Sequence, residues 1–212
     1  MLKLRALLLA ACYDRAMRHV ERRCLARWRA ELLTPLRGEI LEIGSGTGTN
    51  LQYYAPQVKR LVLSEPDRFM RTRLQVQARR RRASLRQVEI IPCRAEQIDL
   101  PAASFDHIVS TLVLCSVTDI ERTLQELRRL LKPGGSLVFF EHVRADDNPG
   151  LYKLQKRLEP VWKWCAGNCH LTRPTGQLLQ QAGFDVEMER VAMQGAPAFV
   201  RPVIKGVAFR SR

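Results

Sequence analysis

The sequence predicts an α/β fold: a doubly wound, mostly parallel sheet of seven strands with an antiparallel C-terminal strand. Three observations predict it. Short apolar runs alternate with longer amphipathic ones along the body of the chain, the pattern of strands and helices in βαβ units. A glycine-rich loop follows the first apolar run directly. The chain closes on two adjacent strand-like runs with no helix between them, which suits an antiparallel pair closing the sheet.

The elements follow in order. Tyr13, Met17, Val20, Cys24, Trp28 and Leu32 recur at steps of three or four, one stripe of an amphipathic helix. Its other faces carry Arg15, Arg18, Arg22, Arg23, Arg27 and Arg29. That basic side suits bulk water and an anionic membrane surface alike. Residues 39–43 then read as the first strand, 44–48 as a glycine loop opening a helix, 60–64 as the second strand and 67–83 as a helix. The third and fourth strands are expected at 88–93 and 105–111. Over 119–131 Ile120, Leu124, Leu127 and Leu131 share one helical face, and Lys132-Pro133-Gly134-Gly135 stops the helix. Residues 136–140 form the fifth strand. Leu151, Leu154, Leu158, Trp162 and Cys165 mark a helix bent at Pro160. Another spans 174–182 and ends at Gly183, and residues 184–193 and 199–209 supply the last two strands.

A chain of 212 residues can bury the core of one such domain. The expected organisation is an N-terminal amphipathic helical cap over 1–34 and the α/β domain over 35–212. Charge is the outlier: 35 Lys and Arg against 21 Asp and Glu give +14. Such a surface attracts polyanions, either nucleic acid or an anionic membrane. Arg79-Arg80-Arg81-Arg82 could touch phosphate, yet four cations at a helix C-terminus also complement its dipole. With no appended recognition domain in evidence, nucleic acid is the weaker expectation. The run Leu2 to Cys12 imitates a short lipoprotein signal but is far below the ~20 apolar residues of a membrane span. The expected location is therefore cytoplasmic, with peripheral membrane contact through the basic N-terminal helix.

Six cysteines show no disulfide framework. Cys93 and Cys115 end apolar runs, where cysteine behaves as a small buried hydrophobe. The segment Cys165 to His170 has C-x3-C-H spacing, which matches neither a zinc knuckle nor a haem attachment site, so no metal ligands are expected.

Chemistry concentrates in Ile40-Leu41-Glu42-Ile43-Gly44-Ser45-Gly46-Thr47-Gly48. Glycines after a strand let the backbone approach a ligand, and a following helix offers free N–H groups to an anion. No Gly-Lys-Ser/Thr is present, and Thr49 stands where a dinucleotide fingerprint needs glycine. Glu42 ahead of the loop suits a ligand with an amino group better than a pyrophosphate. Glu65 lies 21 residues beyond Gly44 at the end of the second strand, where a carboxylate accepts from ribose hydroxyls.

These runs, with Arg94-Ala95-Glu96-Gln97-Ile98-Asp99-Leu100-Pro101 and Leu131-Lys132-Pro133-Gly134-Gly135, resemble the motif series of class I S-adenosylmethionine methyltransferases. Within them Thr111-Leu112-Val113-Leu114-Cys115-Ser116-Val117, Glu141-His142-Val143, Glu159-Pro160-Val161-Trp162-Lys163 and Cys169-His170-Leu171-Thr172-Arg173 resemble the membrane-associated alkyl-thiol S-methyltransferases. The likeness covers residues 35 to 190, although those relatives carry a longer hydrophobic N-terminal anchor. It implies a Rossmann-like fold and S-adenosylmethionine as cofactor. By position it implies that Glu42, Gly44, Ser45, Gly46, Thr47, Gly48 and Asn50 surround the methionine part, with Glu42 turned to its amino group. It likewise places Glu65 and Pro66 at the ribose, Ala95 and Glu96 at the adenine, and Thr111 and Leu112 on the methionine side. His142 is the candidate base, and Tyr13 could fold over the cofactor. The acceptor expected is a small lipophilic thiol; a phospholipid amine is the alternative, and RNA a third.

Overall fold

The computed structural model describes residues 13–81, 85 and 87–211. The Leu2–Cys12 run lies outside these, as do Arg82 and Arg212. Strands β1 (Gly38–Ile43), β2 (Val58–Ser64), β3 (Val88–Ile91), β4 (Phe105–Thr111), β5 (Leu131–His142), β6 (Phe184–Ala192) and β7 (Pro202–Arg210) form one sheet in the order β3-β2-β1-β4-β5-β7-β6. All neighbours are parallel except β7, which runs antiparallel to both β5 and β6. The expected architecture therefore stands, with β7 inserted between β5 and β6.

Burial on both faces explains the continuous apolar runs. Leu41, Ile43, Val62, Ile108, Leu137 and Phe139 face one core cluster. Their alternating neighbours Ile40, Leu61, Leu63, Val109 and Val138 face another on the opposite side of the sheet. Helices α3 (Arg68–Arg81), α4 (Ile120–Leu130), α5 (Pro149–Cys165) and α6 (Thr175–Gln181) complete the layers. In α4 the Asp119 side chain accepts from the Arg122 N–H as N-cap, and Leu124, Leu127 and Leu130 are buried. Each such leucine contributes roughly 1.5–3 kcal/mol of transfer free energy.

The N-terminal helix departs from its expected phase. Helix α1 (residues 13–20) passes through a π turn, Glu21–Leu25, into α2 (Ala26–Leu33). Val20, Cys24 and Trp28 are buried as the stripe predicts, and Trp28 packs edge-on to Phe140 at 5.8 Å. Arg15, Arg18, Arg22, Arg23 and Arg27 are exposed, but Arg29 is buried at 6% exposure. The expectation of a solvated Arg29 is corrected: it shares a face with Leu25 and Leu33, four residues away on either side, and is drawn in by polar partners.

Two further expectations change. The glycine loop opens not a full helix but one 3-10 turn, Thr49–Gln52, with Pro56 close behind. Its dipole is correspondingly slight. Cys93 is only half-buried, because β3 stops two residues before it. Cys24, Cys93, Cys115, Cys165 and Cys169 are free thiols. No helix among the described residues is long and apolar enough to cross a membrane.

Candidate active site

The strand order reverses between β1 and β4, and in open α/β sheets ligands bind outside the carboxyl ends of the strands at that switch point. Ile43 pairs with Ser110 there, so the glycine loop and the Thr111–Leu112 corner stand side by side. Gly44, Gly46 and Gly48 all have positive φ. A Cβ on Gly44 would come within 2.7 Å of Val113, whereas one on Gly46 would meet only the Gly44 carbonyl at 4.0 Å. The loop is thus packed on one side and open above Gly46, the shape a bound cofactor requires. Leu112 closes the far wall at φ 62°, a conformation costly for a leucine and characteristic of functional sites.

The acids lie where the sequence puts them, with partners it does not show. Glu65, at the end of β2, accepts from the Gly46 N–H at 2.7 Å and the Asp67 N–H at 2.8 Å. Burial pushes its carboxyl up, and those two donors pull it back. Each carboxylate oxygen keeps a further lone pair for a ribose hydroxyl. Pro66 beside it is exposed. Glu42 is buried, and the Tyr54 hydroxyl donates to it at 2.5 Å. Burial raises its carboxyl to about 7, with Tyr54, Arg29, Asn50 and Ser45 opposing the rise. Its carboxylate supports the loop from beneath.

Arg29 is the functional candidate that sequence reasoning missed. Its guanidinium donates to Asn50 Oδ1, to Thr111 Oγ1 at 3.2 Å and to Glu21 Oε1 at 2.9 Å. Asn50 Nδ2 also donates to Thr111 Oγ1 at 3.1 Å. A cation is therefore held between the loop and the end of β4. Its only signal in the sequence is a position adjoining Trp28 on the apolar stripe. Asp14 completes the helix contact, accepting from Thr47 Oγ1 at 2.6 Å and from Arg73 at 2.6 Å. Ser45 anchors the loop through its N–H to the Ser64 carbonyl. Tyr13 lies close enough to Arg29 and Cys115 for their charges to act on its hydroxyl, although burial is what chiefly raises its pKa.

Of the two residues expected at the adenine, Ala95 is buried, while the Glu96 carboxylate accepts from the Thr118 N–H at 2.9 Å and so faces the start of α4. His142 ends β5, buried beside Cys115 and Cys169 at 7% exposure. Its Nε2 has no hydrogen-bond partner. The pair of thiols splits: their shared hydrogen bond pushes Cys115 up and draws Cys169 down. Glu141, also buried, accepts from Ser110 Oγ and from the Val113 and Cys115 N–H groups, which shapes the turn after β4. Arg173 clamps the same turn through the Leu114 and Val117 carbonyls. Trp162 packs edge-on to Phe199 at 5.4 Å, whereas Trp164 points outward at 66% exposure.

The sequence profile of the Methyltransferase domain family matches residues 15–189. The chain belongs to that family. Membership supports S-adenosylmethionine, expected from the sequence, as the cofactor, and the open glycine cradle fits it. Among curated relatives, the thiol S-methyltransferase TMT1B of Rattus norvegicus is 37% identical over 151 residues, 71% of this chain and 62% of that protein. This methyltransferase-family chain thus spans less than two thirds of that relative's length. A phosphatidylethanolamine N-methyltransferase of Cereibacter sphaeroides is 26% identical over 132 residues, 60% of this chain and 63% of that one. Among solved structures, the methyltransferase in complex with the Haloferax volcanii Trm112 activator superposes with a TM-score of 0.72 at 15% identity, covering 98% of each chain.

Proposed function

We propose that this chain is an S-adenosylmethionine-dependent methyltransferase acting on a small lipophilic thiol. The observation that carries the reading is the 37% identity to a thiol S-methyltransferase over 151 residues. When bound, S-adenosylmethionine supplies an electrophilic methyl group. The chain's own task is alignment. Glu65 would hold the ribose, the Gly44–Gly48 loop and Asn50 the methionine part, and Arg29 its carboxylate. Thr111 and Leu112 would form the wall towards the acceptor. Ala95 would border the adenine, with Glu96 fixing the segment through α4. A thiol of pKa about 8.5 is already partly thiolate near neutrality, so the protein must hold the sulfur more than activate it. His142, at the end of β5 beside Cys115 and Cys169, is the side chain for that role. The neighbouring cluster of Met17, Leu112, Trp162 and Leu171 gives an acceptor apolar surroundings.

We also propose that the chain works against an anionic membrane. The support is the exposed arginine face of α1 and α2, together with Leu154, Val161 and Trp164 exposed on α5 among Lys153, Lys156 and Arg157.

Calorimetry should show S-adenosylmethionine binding that Glu65→Ala weakens at least tenfold; unchanged affinity would remove Glu65 from the site. S-adenosylhomocysteine release should accompany addition of simple alkyl thiols. Turnover on ethanolamine lipids with none on thiols would transfer the acceptor class to amines.

A further inference from the structure

Three buried side chains from three separate segments meet beside the site. Cys115 comes from the turn after β4, His142 from the end of β5 and Cys169 from the loop after α5. Cys115 Sγ and Cys169 Sγ are 3.6 Å apart, and His142 Nδ1 is 3.7 Å from the first and 3.3 Å from the second. A tetrahedral zinc with bonds of about 2.3 Å to sulfur and about 2.0–2.1 Å to nitrogen puts ligands roughly 3.8 Å apart for sulfur pairs and roughly 3.6 Å for sulfur and nitrogen. The three edges of the observed triangle lie close to those of one tetrahedral face.

We propose that Cys115, His142 and Cys169 bind a zinc ion, and that its fourth position receives the sulfur of the acceptor. The second part rests on the thiol reading above; the first does not.

The triangle is held by the surrounding backbone. The Cys115 N–H donates to Glu141 Oε2 at 3.1 Å, and the Cys115 carbonyl accepts from the His170 N–H at 2.8 Å. Asn168 Nδ2 donates to the Ser116 carbonyl at 2.9 Å, locking the Cys169 loop to the Cys115 turn. Such support keeps ligands in place before a metal arrives. Nδ1 is the ring nitrogen that faces both sulfurs, so ligation would use its lone pair and leave the proton on Nε2. Three protein ligands with no fourth His, Cys, Asp or Glu among the described residues is the pattern of a zinc site that keeps one position for water or substrate. A thiol entering there would form a zinc–sulfur bond as its S–H bond yields the proton to water. His142 then serves as ligand, not as the base expected from the sequence. The cluster escaped the sequence because no spacing motif joins residues 115, 142 and 169. Of the C-x3-C-H run only Cys169 joins the triangle; Cys165 is exposed and outside it.

The test uses the full chain purified under reducing conditions without chelator. Elemental analysis should find about one zinc per chain. Cobalt(II) exchanged for it should give the thiolate charge-transfer and strong visible bands of a tetrahedral site. Cys115→Ser, Cys169→Ser and His142→Ala should each lower metal affinity at least tenfold, while Cys165→Ser keeps it. An acceptor thiol should shift the cobalt bands. A wild-type chain that holds no zinc and gives no cobalt–thiolate bands overturns the site whether or not the variants fold, and so does a Cys115–Cys169 disulfide in the reduced preparation. Thiol turnover by a metal-free chain removes the fourth-position role and leaves the thiol reading intact. Cobalt bands without any shift on thiol addition remove the fourth-position role.

Discussion

Glu42 is a carboxyl sealed between a strand and its own loop, and its pKa makes it a reporter on that seal. Burial raises it from 4.5 to about 7. The folded chain therefore binds a proton more tightly than the unfolded chain between about pH 4.5 and 7. In that window stability falls as pH rises, because unfolding releases the proton. The whole shift corresponds to about 3 kcal/mol, as an order of magnitude. Glu42→Gln keeps an acceptor for the Tyr54 hydroxyl but cannot ionise. Thermal melts from pH 5 to 8 should show a declining Tm for the wild type and a flatter profile for Glu42→Gln, with the variant ahead above pH 7. Parallel profiles for the two proteins would show that Glu42 is not the titrating group. That Glu42 matters was legible in the sequence, since it stands between Leu41 and Ile43 directly ahead of the glycine loop. That it meets Tyr54 was not, because the partner depends on how the loop folds back twelve residues later.

At the scale of elements, the strands were legible and the N-terminal helix only half so. A strand buried on both faces must be apolar throughout, so Ile40 to Ile43 and Leu61 to Leu63 announce themselves whatever surrounds them. A helix is read from its phase, and the π turn at Glu21–Leu25 interrupts that phase before Arg29 is reached. Two of the ion pairs of this helix should differ sharply in value. Asp14 and Arg73 are about 40% exposed, so Asp14→Ala should cost less than about 1 kcal/mol. Arg29 is 7% exposed in its side chain and serves Glu21, Asn50 and Thr111 together. Arg29→Met should cost roughly 2–4 kcal/mol, because it leaves buried acceptors without a donor. It should also weaken S-adenosylmethionine binding at least tenfold. Urea unfolding and calorimetry on both variants check this ranking, and an Arg29→Met chain as stable as Asp14→Ala would refute it.

For the whole molecule, the +14 charge becomes informative once its distribution is known. Helices α1 and α2 turn Arg15, Arg18, Arg22, Arg23 and Arg27 to solvent while their buried face packs in a cluster that also takes Trp162 of α5. On α5, Leu154, Val161 and Trp164 fall at steps of seven and three, a shared helical face with lysines and arginine beside it. Exposed apolar side chains among cations are what an interfacial helix presents to a bilayer. Each cation near an anionic surface adds about 1 kcal/mol, and salt weakens that attraction as the Debye length shrinks from about 10 Å at 0.1 M. Apolar insertion is far less sensitive to salt. The two contributions are therefore separable in one co-sedimentation series. Binding to phosphatidylserine-rich vesicles should exceed binding to pure phosphatidylcholine at least tenfold and should fall steeply between 0.1 and 0.5 M salt, given screening on that scale. Arg18→Ala/Arg22→Ala should reduce the lipid selectivity, whereas Trp164→Ala should lower binding to both vesicle types by a similar factor and abolish any blue shift of tryptophan emission. Equal binding to neutral and anionic vesicles would show that the arginine face serves solubility alone.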